Sequence, residues 1–330
     1  MTKVGIPHSL FYYYHYPLWK TFFNQLDVTV IPSSPTNQRI INDGLGLAVD
    51  EACYPIKVHY GHVLELCQAQ VDYIFLPRMV SIEAKGYICP KFMGLPNMIK
   101  AAISDLPPLI DITIDLSKSD KKLKRDTFQL GKLFNKSKRQ IKNALEEAMQ
   151  EFYLCRSITK QGYTMAEAIR IWEGEKVDLP LEHDLTICIL GHGYSLYDEA
   201  LSLNIINKLR KLGCKVVFPE YLPRTMVEKH AARVPKRVFW TLGRKMVGSA
   251  LYTEGTNEVD GIIYLACFGC GPDSLIGEII ERKVKNKPFM LLTIDEHTGE
   301  GGFMTRLEAF CDMLQRRRQV QDESNFSAYG

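Results

Sequence analysis

The chain has no apolar run approaching the roughly 18 residues that a membrane-spanning helix requires. Its opening, MTKVGIPHSL, lacks the apolar core of a signal peptide and reads instead as a first buried strand. A cytoplasmic, non-membrane protein is the expectation. Charge of one sign is also scarce. A net charge of +3 over 330 residues gives no electrostatic reason to expect nucleic acid or an anionic bilayer as a partner. The usual zinc patterns are missing: there is no HExxH, no HxxxH, and one CxxC where a structural site wants a second close pair. The stretch GLGLAV at Gly44 lacks the strand–GxGxxG–helix context of a dinucleotide site.

What is present is the material of a packed globule, 46% hydrophobic and 24% charged, long enough for two domains of ordinary size. Short apolar runs alternate with helical patterns, which predicts α/β architecture with parallel sheets. Strands are expected at Lys3–Ile6, Val28–Pro32, Asp72–Leu76 and Ile110–Leu116. Helices are expected at His15–Leu26, Asn37–Val49, Ile56–Cys67 and Leu95–Ser104. A second block, LTICILGHGYSLYDEALSLNIINKLRKLGCKVVF, repeats the order and length of the opening VGIPHSLFYYYHYPLWKTFFNQLDVTVI. The reading is two Rossmann-like lobes, 1–116 and 184–314, joined by a helical connector at 117–183. The lysine- and arginine-rich start of that connector is followed at once by acidic residues and reads as a solvated face. Residues 315–330 are polar and are expected to form a disordered tail.

Nine cysteines in a chain without an export signal are not expected to form structural disulfides. Cys67, Cys155, Cys188, Cys214 and Cys311 sit in bland surroundings and read as small core residues. Cys53, Cys89 and Cys270 share a grammar: each is followed within two residues by a proline, Pro55, Pro90 or Pro272, where a helix can begin. A sulfur at a helix N-terminus meets free N–H groups and the positive end of the dipole, which favour thiolate, the metal-binding form. Cys270 follows the strand VDGIIYLA, and Cys89 follows DYIFL after a loop, so both fall where strand ends line a crevice. Cys267 completes the CxxC with Cys270. A cubane iron–sulfur cluster between lobes suits widely spaced thiolates. A redox dithiol, a zinc site and purely structural thiols stay open on spacing alone.

At these residues the sequence resembles the DUF2229 family, described as acyl-CoA dehydratase activase-related or CoA-substrate-specific enzyme activase proteins. That family looks related to 2-hydroxyacyl-CoA dehydratase components and to double-cubane cluster proteins. The matching stretches include AVDEACYPIKVHYGHVLEL, YICPKFMGLPNMI, LGHGYSLYDEALS, FGCGPDSLIGEII and LTIDEHTGEGGFMTRLEAF, spread from Val4 to about Leu314. The resemblance implies two Rossmann-like lobes with a [4Fe–4S] cluster between them. It also implies a partner activator that bears its own cluster and couples ATP hydrolysis to delivery of a low-potential electron. Carried onto this chain, the three cluster cysteines of the dehydratase relatives fall on Cys53, Cys89 and Cys270, with Cys267 as an uncertain fourth. If Cys267 ligates, the cluster is closed and suits electron transfer; if not, one iron is open to a small substrate, such as a CoA thioester. A double cubane would need more thiolates than the four facing the crevice, unless shared across a homo- or heterodimer. Two departures stand out. There is no GxxxxGKS/T loop and no acidic-glycine phosphate loop of the sugar-kinase type, so the activator is expected to be a separate protein. Gly193 stands where the family pattern has proline, which is expected to loosen the loop without removing His192.

Other residues have two readings each. His192, just after a strand, is either a proton donor or cluster neighbour, or a histidine bonded to loop backbone. His297 and Glu296, with Asp295, are either acid–base groups at the rim or part of a helix cap. Asp273 and Ser274 read as caps, Asp50 and Glu51 as neighbours of Cys53, and Arg78 as an anion holder or a surface partner. Tyr12, Tyr13, Tyr14 and His15 read as interface packing rather than a cofactor platform. Three functions compete: a dehydratase-type redox enzyme, a closed-cluster electron-transfer or assembly subunit, and a two-lobed binding protein with zinc or a dithiol.

Overall fold

A computed structural model describes residues 1–179 and 183–327, with side chains described to residue 320. The first lobe begins with β1 (Lys3–Ile6), α1 (Tyr12–Asn24), β2 (Thr29–Pro32), α2 (Gln38–Leu47), α3 (Tyr54–Gln68) and β3 (Tyr73–Phe75). It continues through β4 (Arg78–Ser81), α4 (Pro90–Ala102), β5 (Leu109–Ile110) and β6 (Thr113–Asp115). Helices α5 (Lys121–Leu133), α6 (Lys138–Ile158) and α7 (Met165–Trp172) follow. The second lobe contains β7 (Leu185–Gly191), α8 (Gly193–Leu196), α9 (Ile205–Lys211), β8 (Cys214–Val217), α10 (Arg224–Ala231) and α11 (Thr241–Glu254). It closes with β9 (Gly261–Cys267), α12 (Gly271–Lys283), β10 (Phe289–Ile294) and α13 (Glu300–Ser327).

The fold is α/β with parallel sheets, as the alternation of runs predicts. The first sheet has the order β2-β1-β3-β5 and the second β10-β9-β7-β8, every pairing parallel. Both sheets therefore place their first strand between the second and the third. In this arrangement successive connections leave the first strand in opposite directions, opening a crevice beyond the carboxyl ends of the first and third strands. In the first lobe that point lies past β1 and β3, and in the second past β7 and β9. One core cluster runs from the first lobe through α6 and α7 to Leu185, Ile187 and Leu265, so the two lobes are packed together.

Three expectations change on folding. The strand expected over Ile110–Leu116 is split, because β6 leaves the main sheet to pair with the unforeseen β4. The connector is less solvated than its charge suggests: α6 buries Ile141, Ala144, Ala148, Phe152 and Cys155, and it packs on α1. Its start is fixed by a capping box, Ser137 with Gln140. Residues 315–327 are helical rather than a disordered tail: α13 runs on to Ser327, its extension beginning with the good helix formers Gln315–Gln319; residues 328–330 lie outside the described residues.

The crossing of α2 over α3 positions Cys53 at the start of α3. Two glycines permit it: a Cβ on Gly61 would stand 1.9 Å from the Ile40 carbonyl oxygen, and one on Gly44 2.2 Å from that of Lys57. Both obstacles are backbone, which cannot rotate away. Gly61→Ala is expected to cost about 1–3 kcal/mol or more in urea unfolding. A variant as stable as the parent would show that the two helices do not cross so closely.

Candidate metal centre

Cys53, Cys89 and Cys270 are the N-cap residues of α3, α4 and α12, and each helix carries proline in its first two positions. None of the three side chains is spent on capping its own helix. Proline is well placed here because it lacks only an N–H that has no intrahelical partner, and its fixed φ suits the first turn. Cys270 caps the helix that leaves β9, the third strand of its sheet.

The two lobes meet at these caps. Gly269, in the Cys267–Cys270 turn, adopts a left-handed φ of 74°, and a Cβ there would lie 3.7 Å from the Cys53 Cα. Cys53 and Cys270 consequently titrate as a pair. The Cys270 thiol facing Cys53, helped by Lys91, brings Cys53 down to about 7 against the opposing effect of burial. Cys270 is pushed far up by the same sharing, by burial and by Asp273. Cys89 is half-buried and raised by burial, and it feels the charges of Cys53 and Asp273.

Cys267 behaves differently. It ends β9, is buried, and its Sγ lies 3.3 Å from Ser195 Oγ, to which it donates. Burial and the Asp273 carboxylate hold it strongly in the neutral form.

Asp273 organises the floor of the site. Its carboxylate lies 3.1 Å from His192 Nε2 and accepts hydrogen bonds from the Tyr264 hydroxyl at 2.7 Å and the Cys267 backbone N–H at 3.1 Å. Burial alone would raise its pKa, but His192, Tyr264 and the Cys267 N–H together hold it below the usual range. Burial likewise opposes protonation of His192, and Asp273 outweighs it, so the imidazole pKa is raised. His192 Nδ1 is buried and has no partner. The ring stacks on Tyr194 at 4.9 Å, and Tyr194 feels the charges of Cys270, Asp273, Cys53 and Cys267. One ring nitrogen of His192, Cys270 Sγ and an Asp273 oxygen all lie within 4.8 Å of one another.

The loop holding His192 is not loosened by Gly193. The Gly193 N–H donates to the Tyr14 hydroxyl at 2.8 Å, and a Cβ would come within 2.4 Å of that oxygen. Proline would lose that donor and clash. Glu296 and His297 stand apart from the floor of the site. Glu296 is paired with Lys57 of α3 at 2.6 Å, a bond between lobes. His297 is exposed, and its N–H bonds Asp295, which also accepts from Thr298 in a capping turn. Asp50 and Glu51 are exposed, although the Glu51 carbonyl accepts from Lys91. Arg78 pairs with Asp111 at 2.7 Å.

The sequence reading took Asp273 for a helix cap and passed over Tyr194, Ser195 and Tyr264. The available signal was place: all four stand within three residues of His192, Cys267 or Cys270, Tyr194 and Ser195 just past β7, Tyr264 within β9 and Asp273 in the first turn of α12.

Fold and site together define a two-lobed α/β protein with a buried thiol, imidazole and carboxylate cluster at the seam of its lobes. The chain belongs to the family described as CoA enzyme activase uncharacterised domain (DUF2229), which it matches over residues 3–222. That span contains Cys53, Cys89 and His192 and ends before Cys267 and Cys270. Comparison with curated proteins gives no match. Among the described residues, no helix is long and apolar enough to cross a membrane.

Proposed function

We propose that this chain is an iron–sulfur protein of the 2-hydroxyacyl-CoA dehydratase type, with a [4Fe–4S] cluster held at the lobe seam by Cys53, Cys89 and Cys270. The observation that carries the reading is three N-cap thiols, drawn from both lobes and free of capping bonds, with Cys53 bonded to Cys270 and close enough to Cys89 for its charge to be felt there, beside an unpartnered buried His192 Nδ1. Three soft thiolate donors and helix N-termini suit an anionic cluster. When bound, the cluster would supply low-potential electrons and, with three protein ligands, one iron open to a small substrate such as a CoA thioester.

The chain's own residues have clear parts in this reading. Asp273 holds His192 through Nε2 and raises its proton affinity, which leaves Nδ1 as the ring nitrogen without a partner, free to donate to a bound anionic group. Tyr264 and the Cys267 N–H fix Asp273, so the imidazole is oriented by a fully bonded carboxylate. Cys267, kept neutral against Ser195, supports the three-ligand arrangement rather than a closed cluster. The separate ATP-dependent activator needs a face to dock on. Exposed Phe268 lies between Cys267 and Cys270, with exposed Leu275 and Met93 in the early turns of α12 and α4 and exposed Val49 ahead of Cys53. Such apolar side chains around a site mark an interaction surface.

One observation favours a second reading. His192, Cys270 and Asp273 could take a single ion such as zinc. It would have to displace the mutual bond of His192 and Asp273, and it would leave Cys53 and Cys89 unused. Anaerobic purification with iron, acid-labile sulfide and zinc counts decides between them. About four irons and four sulfides per chain, with a brown absorbance bleached by dithionite, is the expected result. A colourless chain holding one zinc, or one iron-free after reconstitution, would overturn the cluster.

A further inference from the structure

Two thiols that the seam does not use also face each other. Cys214 and Cys311 are both buried, and their sulfurs lie 3.6 Å apart across 97 residues of chain. They stand at the far end of the second sheet from the metal centre. Cys214 opens β8, the edge strand, and pairs with Leu185, the first residue of β7, whereas His192 follows the last residue of that strand. Neither sulfur can therefore serve the cluster.

The contact is made by a well-seated helix. Phe303, Leu307, Phe310, Cys311 and Leu314 form the buried stripe of α13. That stripe lies close on the sheet: a Cβ on Gly261, the first residue of β9, would stand 2.9 Å from Leu314 Cδ1. A disulfide is about 2.05 Å long, so the 3.6 Å contact needs only about 1.5 Å of closure, within reach of small side-chain rotations. The two thiols are also unequal. The S–H of Cys214 turned on Cys311 brings Cys311 below its ordinary pKa against opposing burial, and the same sharing pushes Cys214 far up. One sulfur is thereby prepared as a thiolate and the other as its proton-bearing neighbour, the division of labour in an attacking and resolving pair. Cys214 also borders a surface cavity of about 310 Å³, shared with Arg210, Lys215 and Tyr221, which brings solvent to this edge of the sheet.

We infer that Cys214 and Cys311 form a reversible oxidation site, which a peroxide converts to a disulfide that fastens α13 to the edge of the second sheet. The Cys311 thiolate attacks one oxygen of hydrogen peroxide; the S–O bond forms, the O–O bond breaks, and hydroxide leaves to take up a proton as water. Cys214 then attacks the sulfenic sulfur, the S–S bond forms, and the S–O bond breaks with loss of a second water. Two thiols and one peroxide thus give one disulfide and two waters. The loop so closed contains Cys267, Cys270 and Asp273, the second lobe's whole cysteine and carboxylate share of the seam. Its constraint on the unfolded chain should make the second lobe harder to unfold under oxidising conditions. The pair's position away from the seam means that its failure would leave the iron reading intact.

The test is to treat the full chain with hydrogen peroxide at pH 7.5, block the remaining thiols under denaturing conditions, and map the peptides without reduction. A Cys214–Cys311 cross-linked peptide, two hydrogens lighter than the sum of its parts and released by dithiothreitol, is the expected result. Cys214→Ser keeps a hydroxyl donor toward Cys311 and should stop at a sulfenic acid that dimedone captures. The melting temperature of the oxidised parent should exceed that of Cys214→Ser treated alike by about 5 °C, and the gap should close on reduction. Were the variant to misfold, the peptide map of the parent, with its melting temperature before and after dithiothreitol, carries the test. Cys214 and Cys311 recovered as blocked thiols, oxidation of either to sulfinic acid without the cross-link, or a cross-link that leaves the melting temperature unchanged would each overturn the assignment.

Discussion

After anaerobic reconstitution, Cys53→Ser, Cys89→Ser and Cys270→Ser are each expected to lose nearly all bound iron, whereas Cys267→Ser retains most of it. Even supporting partners of metal ligands typically change metal affinity by about 10–100-fold, and a lost ligand should exceed that. The asymmetry follows from where each sulfur stands. The first three begin helices and make no capping bond, and the side-chain bond between Cys53 and Cys270 is one between two members of the same set. Cys267 belongs to a strand and is committed to Ser195. The measurement is iron and sulfide per chain for each variant, alongside far-ultraviolet circular dichroism to exclude misfolding. Equal loss in all four would indicate a closed, four-cysteine cluster and hence the electron-transfer reading. Equal retention in all four would remove the cluster from this seam. Asp273→Asn adds a separate check. It should preserve iron while altering the reduction potential, because His192 would lose the carboxylate that raises its proton affinity.

The second large effect is on stability in acid. Burial lowers His8 to about 4, His15 to about 4 and His59 to about 3, and it lowers His62 well below its ordinary value. The unfolded chain takes up these protons near pH 6.5, and the folded chain does not until the lowered values are reached. The stabilisation is therefore complete above about pH 6.5 and is lost as pH falls toward 4. A shift of this size corresponds to roughly 3 kcal/mol per histidine at the limit, against a total stability of about 5–15 kcal/mol. Asp198 acts the other way: burial raises its carboxyl to about 6, so its protonation returns part of the loss over the same range.

His62 shows why the folded state resists the proton. Thr36 donates to Asp198, so its oxygen accepts from His62 Nε2–H, and Nδ1 then accepts from Ser33. Ser33 in turn accepts the His8 N–H at 2.7 Å. Every position on the ring is taken in the neutral tautomer, and the chain of bonds links the first lobe to Asp198 of the second. Urea midpoints are expected to fall steeply between pH 6.5 and 4.5. A profile flat over that range would sink the account, and His62→Gln should make the profile shallower while lowering stability at pH 7.5.

Much of this was legible in one dimension. Alternating apolar runs and helical patterns gave two parallel α/β lobes, because the period of buried positions is a local property of the chain. The cysteine–proline pairs marked three helix starts, since proline restricts its own φ and its neighbour's whatever surrounds it. Family membership likewise rests on the sequence. Other features are set by packing across distance. Nothing near Cys267 in the chain says that its sulfur would turn to Ser195, 72 residues away, rather than to the seam. Nothing near Glu296 says that Lys57 would claim it, and nothing near Asp273 says that a capping residue would also hold His192 and Tyr264. The sequence determined which side chains could bind metal or move protons. Only the tertiary structure decided which of them are free to do so, because that depends on what each meets once the lobes close and water is excluded.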